Sequence, residues 1–306
     1  MSAGQLRILK SRIKSVESTR KITRAMEMVS AAKLRRFQTL LNKTRPYTEG
    51  LGKIIANLVE AEQSGAPQTG QSAAHPFFEN RKEKNTALLV ITADTGLCGA
   101  YNMFLTDLAR NFLARPTHHV PFLYGAGKVG VNALKRAKFE LAQSLTDLRS
   151  NQIEPAIKEM SGSLAGHYLR GEVDAVYIIY THVLSVMTAK PVIEKVLPFK
   201  PPAPPAGKKE ADSAAKKKML DNYIYEPSPQ AIFEQIVPEF FEAKIRMIFL
   251  ESFVAEHMAR MNAMHQATKN AKEMTESLTL VRNKIRQTII TKEIIEIISG
   301  SKASKK

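Results

Sequence analysis

Between Gln5 and Arg45 the chain carries neither glycine nor proline. Apolar residues recur there at Leu6, Leu9, Ile13 and Val16, and then at Ile22, Met26, Val29, Phe37 and Leu40. This is one helix face with a shift of phase midway, and it predicts a single helix of about 60 Å. At the far end Met264, Ala267, Ala271, Met274, Leu278, Val281 and Ile285 follow one another by alternating steps of three and four, a heptad seam. Ser228 and Pro229 suit a helix N-cap and first position, and no glycine intervenes before Gly300, which is expected to stop the helix. Pro238 is expected to kink or interrupt its first turns. A continuous helix here reaches on the order of 100 Å. Neither helix can bury its seam alone, so the two are expected to pack on each other, with the intervening chain returning the polypeptide.

That intervening chain is different in kind. "NTALLVITAD" (85–94), "VPFLYG" (120–125), "EVDAVYIIYT" (172–181) and "PVIEKVLPF" (191–199) are short β-rich runs, separated by helical patterns at 101–115, 126–138 and 151–170. Strands alternating with helices predict a Rossmann-like α/β layer inserted into an antiparallel coiled coil. The stretch "PPAPPAGKKEADSAAKKK" (201–218) lacks aliphatic bulk and reads as a disordered Pro/Lys-rich surface loop. The expected organisation is a coiled-coil helix over 1–60, a connection over 61–84 and the α/β domain over 85–200. The loop at 201–218, a short segment over 219–228, a second coiled-coil helix over 229–300 and a tail at 301–306 complete it.

Of the net charge of +16, the opening helix holds most: Gln5 to Arg45 has twelve Lys and Arg against Glu17 and Glu27, whereas 229–300 carries nine of each sign. The plain reading of such a run is a solvated face. No apolar run approaches the roughly 18 residues of a membrane span, and the amino terminus lacks the apolar stretch of a secretory signal, so a chain facing the cytosol is expected. One cysteine, Cys98, excludes an internal disulfide framework and a cysteine-based zinc site. No HExxH spacing occurs among the histidines, and His118 and His119 sit beside Pro121 in what reads as a loop.

"GAGKVG" (125–130) follows a strand and opens a helix, so it fits the dinucleotide pattern G-x-G-x-x-G, with Asp147 near the distance of a ribose partner. Its strand is the second of the layer rather than the first, and no catalytic acid, base or substrate clamp accompanies it. The glycines read as turn residues. Gly96 and Gly99 likewise suit a tight strand-to-helix turn, with Cys98 as a small packed thiol. There is no P-loop, no Ser-His-Asp set and no pair of catalytic carboxylates. Three classes stay open on these grounds: a coiled-coil component of a larger machine, a nucleic-acid-binding coiled coil, and a dinucleotide-dependent enzyme. Against nucleic acid, the basic residues lie on several sides of the helix, and the stacking aromatics that single strands need are missing from it.

"IKSVESTRKITRAMEMVSAAKLRR" near the start, "GLCGAYN" in the middle, and "ARMNAMHQATKNAKEM" with "LVRNKIRQTIITKEIIEIISG" at the end resemble the gamma subunit of F-type ATP synthases. The resemblance covers essentially the whole chain. Thr95 stands where that family usually has Arg before the glycine of the central turn, and 201–218 is longer and more Pro-rich than usual. The form resembled is bacterial, without the cysteine pair of the redox-sensitive chloroplast subunit.

The resemblance implies a non-catalytic rotor shaft without cofactor or metal, lying partly inside a ring of alpha and beta subunits and coupling c-ring rotation to ATP synthesis, or the reverse. Arg286 and Gln287 in "KIRQ" match a polar catch on a beta-subunit loop, with Thr291 and Glu293 nearby. Met26, with Lys21, Arg24 and Lys33, matches the neck that faces beta. Tyr223, Tyr225 and Glu226 in "NYIYEP" match the foot on the c-ring, and the α/β domain is expected to hold the epsilon subunit. Met274, Leu278, Val281 and Ile285 form the expected coiled-coil seam. The implied place is peripheral, on the cytoplasmic face of the bacterial inner membrane.

Overall fold

A computed structural model describes residues 3–65, 75–115, 119–147, 152–185, 188–199, 226 and 228–303. Two helices dominate, α1 (Ala3–Gly65) and α5 (Pro229–Ala303). At 63 and 75 residues they span about 95 and 110 Å. Between them lie β1 (Asn85–Ile91), α2 (Tyr101–Leu113), β2 (His119–Ala126), α3 (Lys128–Arg136), β3 (Gln143–Leu145), α4 (Ile153–Leu169), β4 (Ala175–Val183) and β5 (Ala189–Leu197). The chain forms two compact units, one of Leu34–His257 and one of the residues up to Lys33 with those from Met258, so α1 and α5 each contribute to both.

The larger unit holds one sheet in the order β3-β2-β1-β4-β5. β1 pairs in parallel with β2 and β4, β2 in parallel with β3, and β5 runs antiparallel to β4. β1 is central and apolar almost throughout, and Ala87 to Ile91 are all within 1% of complete burial, as a strand covered on both faces requires. A short helical turn, Pro76–Phe78, plugs the domain against the helices. The Phe77 ring lies 5.4 Å from Phe241 of α5, 5.8 Å from Tyr168 of α4 and 6.1 Å from Phe199 after β5. The Phe199 amide donates to Phe77 O at 2.7 Å.

The expected α/β insert is present, with one strand the sequence did not reveal, the three-residue β3. Two helix expectations need correcting. α5 runs through Pro238 unbroken, as α1 runs through Pro46. Pro238 is exposed while Phe233, Val237 and Phe241 beside it are buried, so apolar packing holds the helix through the proline. Gly300 does not stop α5, which continues to Ala303; one glycine in an exposed turn costs only about 1 kcal/mol. Ser228 does cap the helix: its Oγ accepts from the Ala231 amide at 3.2 Å.

The smaller unit is an antiparallel helix pair. Thr268 Oγ1 meets Thr23 Oγ1 at 2.8 Å, and His265 Nδ1 meets Glu27 Oε1 at 2.9 Å. The face of α1 turned inward is not the apolar series read from sequence. Ile13, Thr23 and Ser30 are buried, with Val16, Arg20 and Glu27 half-buried between them, in alternating steps of three and four. Ile22 and Val29, expected in the seam, are 61% and 56% exposed. On α5, Met264 and Ala271 are buried, Leu278 and Ile285 half-buried, and the expected seam residues Met274 and Val281 54% and 44% exposed. A two-helix contact screens only one side of each helix, so its flanking heptad positions keep much of their exposure.

Candidate functional site

The glycine-rich loop is the first candidate to test, because a dinucleotide site needs open backbone at the start of a helix. In "GAGKVG" that backbone is already committed. The amides of Gly127, Lys128, Val129 and Gly130 donate to Leu145 O at 2.8 Å, Asp94 Oδ1 at 2.9 Å, Ala93 O at 3.1 Å and Thr92 Oγ1 at 2.9 Å. A methyl on Gly127, at φ +93°, would lie 2.1 Å from Thr92 O, and one on Gly130 would lie 2.5 Å from Thr92 Oγ1. The glycines thus admit the end of β1 rather than a pyrophosphate. Asp147, the expected ribose partner, instead lies 3.4 Å from Lys128 Nζ.

The turn after β1 is closed in the same economical way. Asn102 Oδ1 accepts from the Ala93 amide at 2.9 Å, and its Nδ2 reaches Cys98 Sγ at 3.1 Å. Cys98 is buried, as expected of a packed thiol, whereas Leu97, at φ 61°, Met103 and Phe104 are exposed.

On the helix pair, an open groove is lined by Arg20, Lys21, Arg24, Glu27 and Met28 of α1 and His265, Thr268, Lys269 and Lys272 of α5. Glu27 is engaged by His265, and Lys272 lies 4.0 Å from Glu276. Arg20, Lys21, Arg24 and Lys269 have no acidic partner among the described residues. Beside the groove Met26 is half-buried and Lys33 exposed. Polar groups therefore occupy the inside of this stretch while Ile22, Met28 and Val29 face outward. Of the residues that the resemblance assigns to a neck, Lys21 and Arg24 line this groove, while Met26 and Lys33 do not. Arg20, His265, Lys269 and Lys272 line it too, and their only sequence signal was their position beside the heptad seam.

Farther along, the register that sets Thr23 against Thr268 puts Ala3 opposite about residue 288, so the last turns of α5 outrun α1. Arg286, Gln287, Thr291 and Glu293 are all exposed there. Thr291 Oγ1 donates to the Gln287 carbonyl at 2.9 Å, leaving the Arg286 and Gln287 side chains without a partner among the described residues. Ile290, Ile294, Ile295, Ile297 and Ile298 are between 46% and 71% exposed. Of the expected foot, Glu226 is exposed, and Tyr223 and Tyr225, like the 201–218 loop, lie outside the described residues.

Residues 5–303 match the family described as ATP synthase. A gamma chain of ATP synthase from Moorella thermoacetica is 38% identical over 302 residues, covering 99% of this chain and all of its own length. The chain belongs to the ATP synthase gamma-chain family. A gamma chain from Anaeromyxobacter is 37% identical, covering 98% of this chain and 99% of its own. The fold is shared with a chain of the Euglena gracilis mitochondrial ATP synthase at a TM-score of 0.62, with 17% identity, 99% of this chain and 95% of that one. A Tetrahymena thermophila central-stalk and c-ring structure gives 0.55 at 21% identity, covering 80% and 99%. Membership makes the chain a non-catalytic subunit of an enzyme complex. Neither the dehydrogenase reading of "GAGKVG" nor the nucleic-acid-binding coiled coil survives it.

Proposed function

We propose that the chain is the central-stalk rotor subunit, carrying ion-driven rotation of a c-ring to the catalytic beta subunits for ATP synthesis, and the reverse during hydrolysis. The observation that carries this is the end of α5, a helix that outlasts its partner and presents isoleucines outward on several sides. Each such side chain gains about 1.5–3 kcal/mol when enclosed, so this end is built to be surrounded by another apolar surface. The alpha and beta subunits of the head supply that surface. Below it Arg20, Lys21, Arg24 and Lys269, cations with no acidic partner among the described residues, suit an acidic surface of beta, with Met26 and Lys33 in the same neck. Screened charge at a half-open groove resists rotation less than interlocked pairs would.

The catch role belongs to Arg286 and Gln287, with Thr291 and Glu293 beside them, and the c-ring foot to Tyr223, Tyr225 and Glu226. The α/β domain offers its outer surface to epsilon. Among the described residues no helix is long and apolar enough to cross a membrane, in keeping with peripheral attachment on the cytoplasmic face of a bacterial inner membrane. The test is to purify the tagged chain from its native membrane and identify what accompanies it. Alpha, beta, epsilon and c subunits in one complex are expected; recovery of the chain without them would overturn the proposal.

A further inference from the structure

Glu251 of α5 is only 2% exposed, yet it carries a carboxylate with two basic partners from different parts of the larger unit. Its Oε1 meets Arg45 Nη2 of α1 at 3.3 Å, and its Oε2 meets His182 Nδ1 of β4 at 2.6 Å. Arg45 and His182 keep 43% and 40% of their side chains exposed, so the basic groups reach water and the carboxylate does not. One residue on, the Ser252 carbonyl accepts from the Tyr101 hydroxyl of α2 at 3.2 Å. Along the same strands Tyr180 donates to Glu194 Oε2 at 2.6 Å, Lys244 Nζ meets Glu194 Oε1 at 2.7 Å, and Lys190 stands opposite His182 in the β4–β5 register. Both long helices and the sheet thus converge on one buried carboxylate.

A buried ion pair is a poor way to gain stability, because apolar residues of similar volume usually do as well or better. What it does supply is direction: two fixed oxygens that accept from α1 on one side and β4 on the other. We propose that Glu251 is a positioning residue, a clamp that locks α1, α5 and the sheet in one orientation so that the α/β domain and the helices turn as one body. This rests on the rotor reading and names the residue that makes the rotor stiff at that level.

The test uses the assembled complex with Glu251→Gln, which keeps the shape and an acceptor oxygen but removes the charge. The variant is expected to assemble and hydrolyse ATP, while ions pumped per ATP hydrolysed fall several-fold and deuterium exchange rises at 181–183. Arg45→Met and His182→Gln are expected to act in the same direction, and neither to add to Glu251→Gln, as residues working through one group behave. An unchanged pumping ratio in fully assembled Glu251→Gln, or effects that simply add, would overturn the clamp. If Glu251→Gln fails to assemble, Arg45→Met and His182→Gln, which each remove only a half-exposed partner, carry the test singly and together: unchanged pumping in both, or losses that simply add, would overturn the clamp. The unmodified complex measured alongside separates the two ideas: if it does not pump ions on ATP, the rotor reading fails whatever residue 251 does.

Discussion

The Thr268 hydroxyl lies 2.8 Å from the Thr23 hydroxyl in the middle of the helix pair, at positions where a coiled coil ordinarily places apolar side chains. Thr23, which is buried, in turn donates to the Arg20 carbonyl at 3.0 Å, so the pair forms a short polar chain with the half-buried Thr268. Replacing either threonine by valine removes the bond between the hydroxyls, though the remaining one keeps a backbone carbonyl, Arg20 O for Thr23 and Met264 O for Thr268. Each single change is expected to cost about 1 kcal/mol, whereas the double replacement restores a matched contact. Urea unfolding of the two single variants and the double variant measures the coupling. Additive losses would show that the hydroxyls do not act together.

The phase of α1 makes a second prediction. Ile13 is 7% exposed and Ile22 is 61% exposed, although both look alike in sequence. Ile13→Ala is expected to destabilise the chain by about 2–5 kcal/mol, and Ile22→Ser by no more than about 0.5 kcal/mol. In the assembled complex the proposed rotor role predicts the reverse order for turnover, because Ile22 faces outward, where a partner subunit can reach it. Equal stability losses from the two changes would place Ile22 in the seam after all.

This contrast shows what the sequence made legible. The central strands were readable because β1 and β4 are continuous apolar runs, and the two long helices because glycine and proline are excluded over most of their length. The seam of α1 was not, because Arg20, Thr23, Glu27 and Ser30 hold its inward positions while Ile22 and Val29 fall one position out of phase. β3 escaped because Gln143, Ser144 and Leu145 carry no strand pattern, and parallel pairing to Tyr124–Ala126 alone defines it. The groove was half legible: the resemblance pointed to Lys21 and Arg24, but only the register of the helices brings Lys269 and Lys272 beside them.

Gly127→Ala is expected to prevent normal folding of the α/β domain rather than abolish a ligand. Its methyl would press on the Thr92 carbonyl from a backbone at φ +93°, a conformation alanine adopts only at a cost. Circular dichroism and nicotinamide binding separate the possibilities. A well-folded variant that has lost NAD binding present in the parent chain would contradict the structural role.

Tyr168 is fully buried and donates to Glu79 O at 3.0 Å. Burial pushes its phenol up to about 12, with the Arg81 guanidinium 4.6 Å from the ring centroid partly opposing the shift. A raised folded value means that its contribution is complete below the ordinary tyrosine value near 10 and is lost as pH rises toward about 12. Unfolding is therefore expected to set in over that alkaline window and to be shallower in Tyr168→Phe. An identical alkaline profile in the variant would remove Tyr168 from the account.

At the proposed catch, the side chains of Arg286 and Gln287 are exposed and have no hydrogen-bond or ionic partner among the described residues. Charge-assisted bonds to a beta loop contribute about 1.5–3 kcal/mol each, and about 1.4 kcal/mol is a tenfold change in rate. Arg286→Ala with Gln287→Ala is expected to leave subunit stoichiometry intact and to lower steady-state ATP turnover. Full turnover in a fully assembled double variant would remove the catch assignment.

The central claim is rotation, and it can be watched. Lys158 on α4 is exposed and Cys98 is buried, so Lys158→Cys gives this chain one accessible thiol for a bead on the α/β domain, in a complex whose other subunits are made free of accessible cysteine and which is anchored through its alpha and beta subunits. With ATP supplied, the bead is predicted to turn steadily in one sense. A bead that stays still while the anchored complex hydrolyses ATP would contradict the account.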